Sequence, residues 1–448
     1  MVSQVYDFRI MILRQMFIVV LCAASIFAQD FEAQVKEHAA SGDFFGAVLV
    51  SRGGKVLYRK GFGMAQAEWD ILNTPETKFR LGSITKQFTA VAVLQLVEQG
   101  KIKLDDPVKK FYPSAPAAWD AITIHHLLNH TSGIKSYTGL PGFFEKNSTM
   151  PLTPTAIVKL TQNMPLEFTP GSKFSYNNTG YVLLGAVLEQ VTGKPYGAHL
   201  REAIFTPLGM KDTGFDVSAE ILRNRAAGYE RGPKGLKNAN YLDMTLPHAA
   251  GSLYSTVDDL AKWDAALYSE KLIGAALKEK MFTPGLGEYG YGWMVHKLGG
   301  HLVTEHGGGI NGFSTHLLRV PAEKLLVVTL ANLMTPGAGK LAQELAKLAL
   351  GIALPTQPKE IAIAVEKLRD YPGDYQVAPQ FALTITASEG KLTAQATGQG
   401  PTQLFPFEVD KFFLKVVEAQ VEFTRGADGK VDGLILHQNG RDMKAPRQ

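Results

Sequence analysis

Short apolar runs of the kind that form β-strands occur near residue 50 and again after residue 300. Residues 46–59 make two β-rich runs around Arg52-Gly53-Gly54, a pattern that predicts a hairpin. Further strands are predicted at 301–308, 313–320 and 325–332. The residues between, 105–275, show mostly helical patterns and loops. This arrangement predicts an α+β/α fold, in which one antiparallel sheet is flanked by helices and carries a mostly helical insert.

A long apolar run extends from Ile84 to Gln99 without glycine or proline, and Gly100 follows it. It therefore predicts a helix that stops at the glycine. Because this helix is apolar on nearly every side, we expect it to be buried. Two further apolar helices are predicted at 181–191 and 340–349.

The composition changes after Leu354. Pro355 and Pro358 indicate a linker, which we place at residues 354–370, so that the preceding domain covers residues 31–353. Residues 371–448 then predict a separate small all-β domain, a meander or a barrel. Its strands are expected at 381–386, 391–397, 411–417, 420–424 and 431–437, with turns at 389–390 and 428–429.

The N-terminus carries a short apolar stretch, residues 16–28, behind Arg9 and Arg14. It is too short to span a bilayer, and it is typical of a signal-peptide core. We therefore expect residues 1–28 to be a signal peptide of an exported, periplasmic or secreted protein with no stable membrane anchor after cleavage. The one cysteine, Cys22, lies inside this segment, so the mature protein would have no thiol for disulfides, nucleophilic catalysis or metal binding.

The charge pattern gives no indication of a nucleic-acid partner. The formal net charge is +4, both signs are interspersed, and no basic cluster contains interleaved aromatic residues. His126 and His130 have the one-turn spacing of some zinc sites, but no acid occupies the second position of that motif and no further ligands are evident. We expect a structural role for these histidines, and neither a metal nor a cofactor.

Ser83 and Lys86 stand at the start of the buried helix, in the stretch Phe79–Ala90. Serine is a common N-cap, and Ser-x-x-Lys is a weak pattern, since Ser132 and Ser388 begin two more copies. Those copies contain a glycine and open no helix. Residues three apart share a helix face, and a buried lysine is costly unless it is paired or neutral. The residues alone thus leave Ser83 as either a cap or a nucleophile with Lys86 as its partner.

The loop 174–181 supplies candidates for a proton-transfer group. Tyr176 and Asn178 are two residues apart and could face one cleft, with Tyr176 shuttling a proton and Asn178 holding a substrate amide. A phenol beside a lysine ammonium is expected to have a lowered pKa. Ser175 and Asn177 form an alternative frame, and a tyrosine simply packed behind a turn is the structural alternative.

A glycine-rich segment, residues 305–313, begins with the sequence Glu-His-Gly-Gly-Gly. Glycines at a strand end allow close approach of a ligand, and their N–H groups can bind an oxyanion. His-Gly-Gly-Gly also occurs in α/β-hydrolase lipases, where it precedes a Gly-x-Ser-x-Gly elbow. This chain has no such elbow, and its glycines come long after Ser83, so we reject that interpretation.

Ser83-x-x-Lys86, Tyr176-x-Asn178 and His306-x-Gly308 together resemble the three active-site motifs of the serine β-lactamase and penicillin-binding-protein superfamily. The most similar branch is the class C-like group, which includes D,D-peptidases, D-aminopeptidases and esterases. The resemblance covers residues 31–353 and implies a β-lactamase/transpeptidase-like fold. The C-terminal part resembles a small lipocalin-like β domain that is often appended to such hydrolases.

The resemblance implies that Ser83 attacks a carbonyl and becomes acylated, while Lys86 and Tyr176 share the base role and Asn178 positions the substrate. It also implies an oxyanion hole made by the backbone N–H groups of Ser83 and Gly309. His306 and Gly308 would contribute to substrate binding.

One position departs from the pattern, because β-lactam-hydrolysing relatives usually have lysine where this chain has His306. A neutral histidine offers less to a substrate carboxylate. Arg319, on the following strand, is the candidate substitute anchor.

These features predict an exported serine hydrolase whose substrate is a small molecule or a peptide. The expected substrates are a short-chain ester, a D-amino acid peptide or a peptidoglycan-derived peptide, with weaker β-lactam hydrolysis. The alternative from another class is a non-catalytic protein that binds peptidoglycan or a peptide. Intact Ser83, Lys86 and Tyr176 argue against that alternative, since a binding protein has no need of all three.

Overall fold

The computed structural model describes residues 29–233, 235–354, 358–378, 381–388, 390–398, 400–415, 417, 419–438 and 441–448. Its contacts divide the chain into one unit that ends at Ala353 and a second that begins at Leu354. The predicted signal peptide, part of the predicted linker (355–357) and residue 389 of a predicted turn lie outside the described residues. Within the described ranges, no helix combines the length and the apolar character needed to cross a bilayer.

The first unit is built on a six-stranded antiparallel sheet and several short strand pairs. Its strands are β1 (Gly46–Arg52), β2 (Lys55–Phe62), β3 (Met64–Gln66), β4 (Ile71–Leu72), β5 (Phe79–Arg80), β6 (Gly214–Phe215), β7 (Tyr229–Gly232), β8 (Gly235–Asn238), β9 (Leu253–Ser255), β10 (Met294–Leu298), β11 (His301–Ile310), β12 (Phe313–Val320) and β13 (Leu325–Ala331). The sheet order is β10-β11-β12-β13-β1-β2. Since β1 pairs with β13, strands from both ends of the unit join in one sheet, which confirms the predicted architecture.

Helices of the first unit cover both faces of this sheet. They are α1 (29–40), α2 (Thr85–Glu98), α3 (Ile124–Leu128), α4 (Phe143–Asn147), α5 (Pro154–Gln162), α6 (Asn178–Thr192), α7 (Tyr196–Leu200), α8 (Thr206–Leu208), α9 (His248–Gly251), α10 (Val257–Leu267), α11 (Ala275–Phe282) and α12 (Gly337–Ala349). The three helices predicted from apolar runs are α2, α6 and α12, each within a few residues of its expected bounds.

The sheet separates two apolar cores because successive residues of a strand point to opposite faces. On β1, Val48 and Val50 pack with α1 and α12, whereas Ala47 and Leu49 pack with the helical side that contains α2 and α6. Helix α2 lies within the core on the helical side of the sheet, and even its polar residues are buried along most of its length. The predicted burial of this helix is therefore confirmed.

The second unit is an eight-stranded antiparallel sheet in which neighbours in the chain are neighbours in space. Its strands are β14 (Gly373–Ala378), β15 (Phe381–Ser388), β16 (Lys391–Ala396), β17 (Thr402–Glu408), β18 (Lys411–Leu414), β19 (Ala419–Arg425), β20 (Val431–Gln438) and β21 (Arg441–Pro446). A bridge between Tyr375 and Arg447 brings the first strand to the last, so the sheet curls into a barrel. Aromatic side chains, among them Tyr371, Phe412 and Phe423, fill its core.

Candidate active site

Ser83 lies in a 3₁₀ turn, Gly82–Ile84, immediately before α2. Gly82 has a φ of +54°, and a Cβ at this position would lie 3.0 Å from the backbone nitrogen of Gly309. The turn therefore needs glycine both for its backbone conformation and for its close approach to β11. No side chain caps α2, and the hydroxyl of Ser83 faces Lys86 instead. The interpretation of Ser83 as a helix cap is thus wrong.

Lys86 is fully buried, and its Nζ has three polar neighbours. Nζ lies 3.1 Å from Ser83 Oγ, 2.9 Å from Asn178 Oδ1 and 2.7 Å from the carbonyl oxygen of Ala250. Burial holds the pKa of Lys86 well below that of a free lysine, which favours the neutral amine.

A neutral amine has two N–H donors and one lone pair. The carbonyl of Ala250 can only accept, and Asn178 Oδ1 also accepts because its Nδ2 donates to Thr138 Oγ1 at 3.1 Å. Both N–H groups of Lys86 are then used, so its lone pair remains for the hydroxyl hydrogen of Ser83. The arrangement can therefore activate Ser83 by taking its proton.

Tyr176 lies close enough to Ser83 for the two hydroxyl groups to interact, and its ring centroid lies 4.8 Å from Lys86 Nζ. Although 38 % of the residue is exposed, its hydroxyl end is enclosed, and burial raises the pKa of the phenol above its usual range. The expected lowering of this pKa is therefore wrong. The same burial that removes the charge from Lys86 also disfavours a phenolate, so Tyr176 is a proton donor at neutral pH.

Asn177 is the N-cap of α6, since its side-chain oxygen accepts a hydrogen bond from the Gly180 N–H at 2.7 Å. Of the two frames left open by the sequence, the structure therefore brings Tyr176 and Asn178 to Ser83. The alternative frame of Ser175 and Asn177 supplies a cap rather than a cleft residue.

His130 packs against the loop that carries Tyr176 and Asn177. It is buried with a φ of +60°, and its Nδ1 accepts from the backbone N–H of Asn177 at 3.1 Å. Its ring centroid lies 4.3 Å from that of Tyr176 and 4.7 Å from that of Tyr289. His126 caps α3. Neither histidine belongs to a metal-ligand cluster within the described part of the chain, where no group of three or more suitable side chains converges.

His306, on β11, is buried, and both of its ring nitrogens have partners. Nδ1 donates to the carbonyl of Gly307 at 2.6 Å, so Nε2 accepts from the hydroxyl of Tyr289 at 2.9 Å. Burial is the main cause that lowers the pKa of His306 to about 3. The side chain is neutral at physiological pH and has no ring nitrogen left for a substrate.

The two glycines that follow have different environments. A Cβ at Gly308 would lie 1.9 Å from the carbonyl oxygen of Leu81 and 2.4 Å from Thr315 Oγ1. At Gly309 no atom lies within 4 Å of the corresponding position. Gly308 therefore lets β11 pack against the turn that carries Ser83, whereas Gly309 borders open space beside the serine.

Arg319 does not reach this site. Its side chain is buried in an ion pair with Asp264 and lies 4.7 Å above the ring of Tyr268. On the paired strand it lies opposite Thr304, away from the glycines. The alternative in which Arg319 anchors a substrate carboxylate is therefore not supported, because this cation is already paired with Asp264.

A cavity of about 100 Å³ opens beside Ser83. Its lining combines polar groups with apolar side chains, and the polar groups belong to Ser83, Thr138, Asn178, Gly309 and Asn311. The apolar lining consists of Tyr137, Phe144, Leu242, Leu246, Pro247, Ala250 and Ile310. Among the described residues, none that lines it carries a charged side chain.

Comparison with known families assigns this architecture to a family. Residues 27–351 match the family described as Beta-lactamase. This chain belongs to the β-lactamase family of serine hydrolases. Residues 357–446 match a domain of unknown function, DUF3471, which corresponds to the barrel of the second unit.

Members of this family that resemble the chain include both penicillin-binding proteins and amidases. Penicillin-binding protein 4* of Bacillus subtilis (strain 168) is 31% identical over 93% of this chain and 97% of its own length. The octameric penicillin-binding protein homologue of Pyrococcus abyssi is 28% identical, with a TM-score of 0.67 over 93% of this chain and 99% of its own. The D-amino acid amidase of Ochrobactrum anthropi SV3 is 25% identical, with a TM-score of 0.65 over 72% and 99%.

Sequence reasoning missed three contributors to the site: Ala250, His130 and Tyr289. Ala250 acts through its carbonyl group, which every residue type has, so no side-chain pattern could indicate it. His130 had been assigned a structural role without a partner, and only the fold shows that it contacts the loop of Tyr176.

Proposed function

We propose that this enzyme hydrolyses amide or ester bonds through an acyl-enzyme on Ser83, and that its preferred substrates carry no carboxylate near the scissile bond, such as short-chain esters and D-amino acid amides. The observation that carries this proposal is the hydrogen-bond arrangement of Lys86, whose lone pair is free to accept the proton of Ser83. The similarity to a D-amino acid amidase and to a D-stereospecific amidohydrolase of Streptomyces supports the amide class.

In the proposed reaction, neutral Lys86 takes the hydroxyl proton as Ser83 Oγ attacks the substrate carbonyl. The oxyanion is held by the backbone N–H groups of Ser83 and Gly309, which both border the cavity. Tyr176 donates its proton to the leaving nitrogen or oxygen and regains one from the Lys86 ammonium. Water then attacks the acyl-enzyme with the same groups in reverse roles, which releases the acid and restores Ser83.

The preference for substrates without a carboxylate follows from the lack of an available positive charge near Ser83 in the part of the chain that the structure describes. His306 is neutral with both nitrogens engaged, Arg319 is paired elsewhere, and no charged side chain among the described residues lines the cavity. A free carboxylate on the leaving group would therefore lose its hydration without gaining an ion pair from either His306 or Arg319. β-Lactams and peptides with a free C-terminal carboxylate are therefore the weaker substrates in this proposal.

The alternative, a non-catalytic protein that binds peptidoglycan or a peptide, is less consistent with the site. A binding function gives no reason to bury a lysine against a serine hydroxyl, an arrangement that costs stability. We also propose that the enzyme is exported, on the basis of the apolar stretch at residues 16–28 behind two arginines.

The test compares kcat/KM for 4-nitrophenyl acetate, D-alanine amide and nitrocefin at pH 7.5. We expect the ester or the amide to be preferred, and Ser83→Ala to abolish turnover of all three. Ser132→Ala, in a second Ser-x-x-Lys copy, is the matched control and should retain activity. Preference for nitrocefin would refute the proposed substrate class, while saturable binding with no turnover by the wild type would favour the binding protein.

A further inference from the structure

The cavity lies on one particular side of Ser83. Its lining includes Ser83, Asn178 and Gly309, but neither Tyr176 nor His306. Because Tyr176 is the proton donor in the proposed reaction, the leaving group must depart on the side of that hydroxyl. The cavity, which Tyr176 does not line, is therefore assigned to the acyl part of the substrate, which stays on Ser83 after the leaving group has gone.

The cavity also has an apolar wall, which we define by Leu242, Leu246, Tyr137, Ile310 and Phe144. Leu242 and Leu246 are 3% and 1% exposed, and Tyr137 and Ile310 are also buried, while Phe144 is partly exposed at the edge. An apolar acyl group that enters this space exchanges water for apolar neighbours, whereas a charged group finds no partner.

The wall is held in place although residues 240–247 form no regular strand or helix. Asn311 Nδ2 donates to the carbonyl of Asn240 at 3.0 Å, and the N–H of Asp243 donates to the carbonyl of Ser148 at 2.7 Å. Tyr137 donates its hydroxyl to the carbonyl of Leu246 at 2.9 Å. Three separate parts of the unit thus fix the segment, so the wall is preformed and cannot retreat at low cost from a large group.

The space itself is small. Its volume of about 100 Å³ is below the roughly 150 Å³ of an engineered apolar cavity that takes up benzene. Short or branched aliphatic groups fit such a space, and longer chains must pass the partly exposed Phe144 into solvent.

We infer that this cavity is the acyl-group pocket and that Leu242 and Leu246 select compact aliphatic acyl groups that carry no carboxylate. The inference rests on the proposed function and specifies which part of the substrate the enzyme reads. Since the leaving group lies outside the pocket, selectivity should follow the acyl chain and depend little on the group that is released.

The experiment uses the full chain and a series of 4-nitrophenyl esters from acetate to octanoate, so that the leaving group stays constant. We expect kcat/KM to rise about four-fold for each added methylene while the pocket fills, and then to level off or fall. The 4-nitrophenyl ester of succinic acid, which places a carboxylate at the end of a butanoate-sized chain, should be at least ten-fold slower than the butanoate. A flat chain-length series, or equal rates for those two esters, would overturn the inference.

Substitutions in the cavity wall test whether Leu242 and Leu246 cause the selectivity for acyl-chain length. Leu242→Ala should shift the maximum of the series toward longer chains and reduce the advantage of short ones, and Leu246→Ala gives the same test if the first variant folds poorly. Leu236→Ala is the control, because Leu236 is exposed on β8 and does not line the cavity. A series that shifts equally in the control, or in neither cavity variant, would overturn the assignment of the wall.

Hydrolysis of the acetate separates this inference from the proposed function. Acetate has almost no acyl chain to place in the pocket, so its turnover, together with loss of that turnover in Ser83→Ala, reports on the serine mechanism alone. If acetate is hydrolysed and the series is flat, only the pocket assignment fails. If no ester is hydrolysed and Ser83 is not acylated, the proposed function fails, and the pocket assignment fails with it.

Discussion

Replacement of Lys86 by methionine tests whether the buried amine is neutral in the folded enzyme. Burial holds the pKa of Lys86 well below the 10.5 of an unburied lysine, which is its value in the unfolded chain. Between those two pKa values the unfolded chain binds one proton more than the folded protein. The free energy of unfolding contributed by Lys86 therefore rises with pH throughout that window, and this contribution is absent from Lys86→Met.

The size of the effect follows from proton linkage. One proton of difference changes the free energy of unfolding by about 1.4 kcal/mol per pH unit, so between pH 7 and 9 the wild type should gain up to about 2.7 kcal/mol relative to Lys86→Met. The absolute difference at one pH also contains the lost contacts to Ser83, Asn178 and Ala250, each worth about 1 kcal/mol. Those contacts do not titrate, so the change with pH isolates the proton.

Urea unfolding followed by tryptophan fluorescence provides the assay. The four tryptophans, at positions 69, 119, 263 and 293, all lie in the first unit, so the signal reports on the unit that contains Lys86. Lys135→Met, which alters a partly exposed lysine of another Ser-x-x-Lys copy, is the control and should differ from wild type equally at both pH values. Parallel stabilities of wild type and Lys86→Met at pH 7 and 9 would refute the neutral amine, and with it the role of Lys86 as base.

Three further predictions concern the neighbours of this lysine. Tyr176→Phe should lower turnover about a hundred-fold or more by removing the proton donor, whereas Ser175→Ala should have a much milder effect, and the reverse ranking in steady-state kinetics would move the site to the other frame. His306→Gln should leave the pH profile of kcat/KM unchanged between pH 5 and 8, because the pKa of His306 is about 3, and loss of an inflection in that range would contradict this. Gly308→Ala should lower the Tm strongly, since its Cβ would overlap backbone, while Gly309→Ala should keep the Tm and lose activity, and similar Tm values for both would contradict the packing described.

The sheet and the buried helix α2 could be predicted because their physical requirements appear in local patterns. Strands β1, β11, β12 and β13 are compact apolar runs between turns, and α2 is an uninterrupted apolar run that ends at a glycine. The barrel was predicted as a class but not strand by strand. Strand β17 contains Pro406 and a register shift, and β14 and β21 have few buried apolar positions of their own, so their pairing is visible only in the closed sheet.

The site was predictable where side-chain chemistry carries the role. Ser83, Lys86, Tyr176 and Asn178 were indicated by residue type and spacing, and the fold brings them together. The wrong pKa direction for Tyr176 and the open question of Arg319 have one physical origin. A sequence shows which residues can be charged, but it does not show what surrounds them in the fold.

The phenol of Tyr176 was assigned a lowered pKa from a nearby ammonium, but burial disfavours both charged groups. Arg319 is an alternative carboxylate anchor by sequence, but α10, which is remote in sequence, supplies Asp264 as the partner of its guanidinium. In each case the deciding neighbour is set by tertiary packing and leaves no local trace.

The central claim is that Ser83 is the nucleophile of a covalent mechanism, and labelling with a fluorophosphonate probe followed by peptide mass spectrometry tests it most directly. The account predicts a single phosphonyl adduct on the peptide that contains Ser83, with loss of fluoride, unchanged labelling of Ser132→Ala and no labelling of Ser83→Ala. An adduct on another residue, or undiminished labelling of Ser83→Ala, would contradict the account.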